Sequence, residues 1–216
     1  MKIEFVSDVA CPWCAIGLHA LERALQAIGG DIDIELSFQP FELNPDMGPE
    51  GEDTLAYLSA KYGRTPEQIR QTQAMIRERG AAVGFVFGPR DRVWNTFDAH
   101  RLLCWAEGEG EGRQRALKHA LLQAYHGEGR NPGDRQVLLD LAAQVGLDVD
   151  HARQTLEGDA FAAEVRERER FWQSAGIHSV PAIVIDRRHL ISGGQPPEVF
   201  EQALRRIAGG GSAGRA

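Results

Sequence analysis

The chain has 216 residues, 43% of them hydrophobic and 25% charged, with a formal net charge of −7. Those proportions are ordinary for a globular chain, and the length suits one large domain or a domain carrying an insertion. The acidic balance argues against a nucleic-acid footprint and against attraction to anionic membranes, and no run approaches the ~18 consecutive apolar residues of a membrane span.

Met1-Lys2 runs straight into Ile3-Glu4-Phe5-Val6, so residues 2–7 are predicted as a short buried strand. Read as a complete chain, this start leaves no space for a charged segment followed by an apolar leader, and a cytoplasmic protein is expected. From Pro12 the pattern turns helical: Trp13, Ile16, Leu18, Leu21, Leu25 and Ile28 recur at three- and four-residue intervals until Gly29-Gly30. Pro12 suits the first helical turn, where its missing N–H has no partner to lose. Ile32, Ile34, Leu36 and Phe38 alternate through residues 32–39, a second strand. A strand, a helix and a strand in this order predict a parallel pair with a right-handed crossover.

After a turn-rich stretch at 44–51, the pattern is helical nearly throughout from Asp53 to Ala175. Thr65-Pro66-Glu67-Gln68 supplies an N-cap, a proline at the first helical position and a capping-box glutamine. A structureless loop of that length is implausible, so an inserted helical domain is expected over 51–175, with residues 1–50 and 176–208 forming the domain it interrupts. Strand character returns at 182–186 and 189–192, joined by a tight turn, and Pro196-Pro197 opens a last helix reaching Ile207. The glycine-rich residues 209–216 are expected to be disordered.

Cys11-Pro12-Trp13-Cys14 sits where the first strand gives way to the first helix. The unpaired N–H groups and positive dipole end of a helix start favour a negatively charged sulfur, the nucleophile of disulfide exchange. Cys11, at the exposed end, is expected to attack; Cys14, about one turn inside, is expected to resolve the mixed disulfide. Pro12 and Trp13 are expected to tune the pair through local geometry and access, Trp13 serving equally as a cover for the helix end. The third cysteine, Cys104, lies in the apolar run Leu102-Leu103-Cys104-Trp105 and reads as a small buried hydrophobe. One close pair is too few for structural zinc, so no metal site is expected.

Cys11-Pro12-Trp13-Cys14, Ser179-Val180-Pro181-Ala182 before the third strand, and Ile191-Ser192-Gly193-Gly194-Gln195-Pro196 before the last helix together resemble the DsbA-like oxidoreductases. Asn95-Thr96-Phe97-Asp98-Ala99-His100-Arg101 is similar to the cytosolic FrnE-like branch of that family, and the resemblance runs from residue 2 to about 207. It implies an α/β thioredoxin-like fold, β-α-β then β-β-α, with a large all-helical insertion. It also implies a cis Val180-Pro181 peptide opposite the cysteines that receives an extended substrate as an extra strand; without the family, Pro181 is a strand-start proline. The implied activity is thiol–disulfide exchange on peptide or protein thiols and disulfides, as oxidase, reductase or isomerase. No resident cofactor is implied, although glutathione could act as reductant or co-substrate.

Two other functions share these features. The related 2-hydroxychromene-2-carboxylate isomerases and kappa-class transferases bind glutathione on the same layout, but typically carry serine at the Cys11 position and lack the second cysteine. A non-catalytic peptide-binding or chaperone-like module would use the cleft without using the thiols. Among the remaining candidates, His19 and His100 read as structural, with Asn95, Asp98 and His100 scattered over one predicted helix. Asp8 reads as a turn residue ahead of a proton acceptor for Cys14, and the resemblance suggests Asn44 or Asn95 at the cleft.

Overall fold

The computed structural model describes residues 1–210. Its four-stranded sheet runs β2-β1-β5-β6, formed by β1 (Lys2–Ser7), β2 (Glu35–Pro40), β5 (Ala182–Ile185) and β6 (His189–Ser192). β1 is central, parallel to β2 with Phe5 opposite Phe38, and antiparallel to β5 with Phe5 opposite Ile183. β6 returns antiparallel to β5 through a turn in which Asp186 and Arg187 both have positive φ, the primed geometry that matches strand twist.

Side chains alternate across this sheet with period two. Ile3, Phe5, Phe38, Ile183 and Ile185 share a core with α1 (Pro12–Ile28) and α9 (Pro197–Gly210). Val6, Ala182 and Val184 face the other way, onto Phe41, Trp172 and Ile177. Both faces are therefore covered, and of β1 only Lys2 is exposed.

Between β2 and β5 the chain forms β3 (Glu52–Asp53), α2 (Thr54–Tyr62), α3 (Pro66–Val83), β4 (Arg92–Val93), α4 (Phe97–Glu107), α5 (Arg113–Leu122), a π-helical turn (Gln123–Gly127), α6 (Arg135–Gln144), α7 (Val149–Glu157) and α8 (Ala162–Ser174). Leu102, Leu117, Leu121, Tyr125, Leu138 and Leu156 centre a second core, which also takes in Val9 and Ala10 from the β1–α1 loop. Thr65 caps α3 with both halves of the capping box in place. Gln114 of α5 reaches the edge strand: its Oε1 accepts from Phe38 N–H (3.0 Å), and its Nε2 donates to the carbonyls of Phe38 and Leu103 (both 3.1 Å).

Three sequence expectations are corrected. β2 begins at Glu35 rather than 32, because a 3-10 turn over Gly29–Asp31 delays the chain's entry into the sheet. The stretch from Asp53 is not purely helical, since β3 and β4 pair antiparallel, Glu52 with Val93 and Asp53 with Arg92. The final helix carries on through Gly209 and Gly210, which were expected in the disordered tail; helical bonding continues across a glycine at a cost of about 1 kcal/mol. The rest of that expected tail, 211–216, lies outside the described residues.

Candidate active site

Cys11 is the N-cap of α1, with extended backbone (φ −88°, ψ 113°) and no side-chain cap bond, and Pro12 opens the helix. The sulfur is thus not consumed as a cap. Its thiol donates to the Val180 carbonyl at 3.6 Å, and the peptide that follows, Val180-Pro181, is cis. The two motifs, 169 residues apart in sequence, meet at one sulfur. Gly17 makes the approach possible: a Cβ there would lie 3.0 Å from Pro181 Cγ and 3.3 Å from Gly194 Cα. Gly194 in turn closes on Trp13, which is half-buried against the core that holds both cysteines.

Cys11 is less open than its place at a helix end suggests. It is 4% exposed and Cys14 is 0% exposed, with all three cysteines free thiols. Contact with Val180 covers Cys11, while the first turn of α1 carries Cys14 wholly inside. Burial, reinforced by Cys11 beside it, pushes the Cys14 thiol well up; Lys118 and the backbone amide of Asp8 act in the opposite sense. Beside Pro12 opens a cleft of about 340 Å³ whose walls include Phe87, Arg70, Arg77, Arg90 and His126.

The loop that delivers Cys11 is held by buried polar groups. Asp8 Oδ1 accepts from Ala10 N–H (3.1 Å), Thr96 Oγ1 (2.8 Å) and His100 Nε2 (3.2 Å), and Oδ2 accepts from Leu43 N–H (2.7 Å). Although burial opposes it, the hydrogen bond and charge of His100, with the Leu43 and Ala10 amides, hold the Asp8 carboxyl below its ordinary value. Asp8 is an acceptor only, so His100 carries its proton on Nε2. On the other side, His126 Nε2 donates to the Val9 carbonyl (2.8 Å), while Arg90 Nη1 donates to His126 Nδ1 (3.2 Å) and to the Ala10 carbonyl (3.4 Å). Burial and Arg90 push His126 well below its usual range, which fits a neutral ring locked in one tautomer.

A profile described as a DsbA-like thioredoxin domain matches residues 2–205. The chain belongs to the DsbA-like thioredoxin family. It is 37% identical to a protein described as a probable DsbA oxidoreductase from Streptomyces coelicolor, with a TM-score of 0.90 over 100% of this chain and 92% of the other. Among curated proteins it is 28% identical to the uncharacterised YwbO of Bacillus subtilis, over 94% of this chain and 96% of that one. The fold is also that of the cytosolic disulfide reductase DsbM of Pseudomonas aeruginosa, solved with glutathione: 20% identity, TM-score 0.67, covering 96% and 99% of the two chains. A 2-hydroxychromene-2-carboxylate isomerase has this fold too, at 13% identity and TM-score 0.75 with both chains covered in full.

In this member of the DsbA-like family, the structure brings Cys11, Cys14, Pro12, Trp13, Val180 and Pro181 together and leaves other sequence candidates elsewhere. Asn95 precedes α4 instead of lying on it; it accepts from Phe97 N–H (2.8 Å) and donates to the Met47 carbonyl (3.2 Å). Asn44 accepts from Tyr57 (2.7 Å) and Lys61 (2.6 Å). Neither asparagine is among the residues lining the cleft beside Pro12. His19 stacks on Phe85 and His119, at ring separations of 5.2 and 5.3 Å. Cys104 is buried, and burial pushes its thiol up to about 12. Asp8 does form the anticipated turn, but its ties to Thr96 and His100 escaped the sequence reading. The available signal was the Thr96–His100 spacing of four, which puts both side chains on one helix face.

Among the described residues no helix is long and apolar enough to cross a membrane.

Proposed function

We propose that this protein is a thiol–disulfide oxidoreductase in which Cys11 exchanges with a thiol or disulfide substrate and Cys14 resolves the mixed disulfide. The observation that carries the reading is the meeting of Cys11 Sγ with the Val180 carbonyl at the N-terminus of α1. A substrate strand laid along Val180-Pro181 brings its sulfur to the only one of the two cysteines with any exposure. Cys14, one turn inside, can reach Cys11 but not a bulk thiol, which suits a resolving role. Substrates of this class are peptide or protein thiols and disulfides. Glutathione fits as the thiol that resets the pair, a reading supported by the glutathione-bound reductase of the same fold. A cytoplasmic setting fits such a reset, because the thiol pool there keeps a pair of this kind cycling.

Reduction of insulin disulfides by dithiothreitol tests the proposal. The wild type is expected to accelerate it, Cys11→Ala to leave only the background rate, and Cys14→Ser to accumulate a mixed disulfide through Cys11. Equal rates for wild type and Cys11→Ala would overturn the enzyme reading. Retained isomerisation of a glutathione adduct by Cys14→Ser, with disulfide exchange absent, would favour an isomerase. Titrating the Cys11–Cys14 pair in glutathione buffers then assigns direction: a potential well below the buffer poise marks a reductase, one well above it an oxidant or isomerase.

A further inference from the structure

A disulfide-exchange site chooses among thiols by what its surroundings offer to the residues beside the reacting sulfur. The cleft of about 340 Å³ next to Pro12 adjoins that sulfur, because Pro12 follows Cys11 in the chain and successive Cα atoms lie about 3.8 Å apart. One wall is a face of α3, where the lining residues Arg70, Gln73 and Arg77 are spaced by three and four. That face presents two guanidinium groups and an amide to the cleft. Arg90, from the segment before β4, adds a third guanidinium.

The protein makes little use of these cations itself. Arg70 meets Glu67 at 3.6 Å with both side chains well exposed, a pair that contributes little. Arg77 is exposed and enters no ion pair among the described residues. Arg90 is half-buried, and through its Nη1 bonds to His126 and the Ala10 carbonyl it joins the cleft to the loop that delivers Cys11. Two carboxylates share the lining, Asp53 and Asp91. Asp53 is occupied as the N-cap of α2, accepting from Ala56 N–H at 2.8 Å. Three arginines against two aspartates leave the lining one positive charge in excess, within a chain of net charge −7. Thr54 gives an independent sign. It lines the same cleft and is 2% exposed, and its buried hydroxyl has no hydrogen-bond partner. A buried polar group left unpaired in a cavity wall is a vacant donor for whatever enters the cavity.

We propose that this cleft is a carboxylate subsite and that the preferred substrates are cysteines in acidic polypeptide segments, with Arg70 and Arg77 as specificity-determining residues; the proposal rests on the thiol–disulfide reading above. A substrate strand along Val180-Pro181 brings its cysteine to Cys11, and an aspartate or glutamate beside that cysteine passes over Pro12 into the cleft. There the guanidinium N–H groups match the two carboxylate oxygens, and the Thr54 hydroxyl supplies a further donor. A lysine at the same place meets like charge and is rejected. The chemistry at sulfur is unaltered: the Cys11 thiolate attacks the substrate disulfide, the Cys11–substrate bond forms as the old S–S bond breaks, and the departing sulfur leaves with the electron pair. Glutathione also carries carboxylates beside a thiol, so the test separates it from acidic polypeptides.

The probes are peptides with a single cysteine capped as its 2-pyridyl disulfide, identical except for aspartate or lysine on both sides of that cysteine. Attack by Cys11 expels 2-thiopyridone, whose absorbance gives the rate, and dividing by the rate with dithiothreitol removes the intrinsic reactivity of each peptide. The reduced wild type is expected to favour the aspartate peptide by about tenfold at low salt. The double variant Arg70→Gln, Arg77→Gln is expected to bring that ratio to within about twofold of one. Both arginines are exposed on α3, so the substitutions spare the core. A merely structural defect slows both peptides together and keeps the ratio. A wild-type ratio near one, or an undiminished ratio in the double variant, overturns the proposal. So does a double variant that slows only glutathione capped in the same way, which would assign the cleft to the small thiol. Release no faster than with Cys11→Ala for every peptide overturns the functional reading itself, and this proposal with it.

Discussion

Asp8 draws its four donors from its own loop, from the segment after β2 and from the start of α4. A carboxylate with no exposure can be kept only because each partner is in place. Asp8→Asn turns one acceptor oxygen into a donor facing donors, and should cost about 3 kcal/mol in urea unfolding. A second buried acid behaves in the opposite sense. Glu42 pairs with Arg166 beside Glu169, and burial together with the Glu169 charge raises it from 4.5 to about 7. The folded form therefore binds more protons than the unfolded one between those values, and this contribution to stability falls as pH rises from 4.5 to 7, then levels off. The melting temperature of Glu42→Gln relative to wild type is expected to climb across that window; a constant difference from pH 5 to 8 would contradict the assignment. Neither acid announces itself in sequence. The cysteine pair is legible because its chemistry is local to four residues, whereas two of the four donors to Asp8 come from a segment about ninety residues away.

At the scale of elements, α1 approaches the Val180-Pro181 loop as closely as backbone allows, through Gly17. Alanine there gains about 1 kcal/mol of helix propensity but meets Pro181 and Gly194, and overpacking of this kind costs about 1–3 kcal/mol. Gly17→Ala is expected to lower stability by about 1 kcal/mol and to slow mixed-disulfide formation at Cys11, because the loop that faces the sulfur must retreat. Unchanged exchange kinetics would show that the loop's distance from α1 is immaterial to the reaction. The strands, α1, the capped start of α3 and the closing hairpin could be read from periodicity and turn chemistry. The short β3–β4 pair could not, since two residues per strand carry no period, and the docking of α5 on β2 depends on a glutamine whose reach no local pattern encodes.

On the scale of the whole molecule, Gln114 joins the helical region to the sheet by satisfying backbone groups of Phe38 on an edge strand. Gln114→Ala leaves the Phe38 N–H and two carbonyls without those partners, and should destabilise the protein by about 3 kcal/mol. Hydrogen exchange at the Phe38 amide should accelerate more than at the central strand; equal protection there would mean that the region docks by apolar contact alone. The sheet order β2-β1-β5-β6 has a temporal side as well. β1 finds β2 within the first forty residues, but its other edge waits for β5, which begins at Ala182. At roughly 5–20 residues per second of synthesis, about seven to thirty seconds separate the two pairings. During that interval the nascent chain carries both cysteines beside an unpaired strand edge. Val180, the residue that covers Cys11, is added to the chain 169 residues after it, so the reactive pair is made long before its shield.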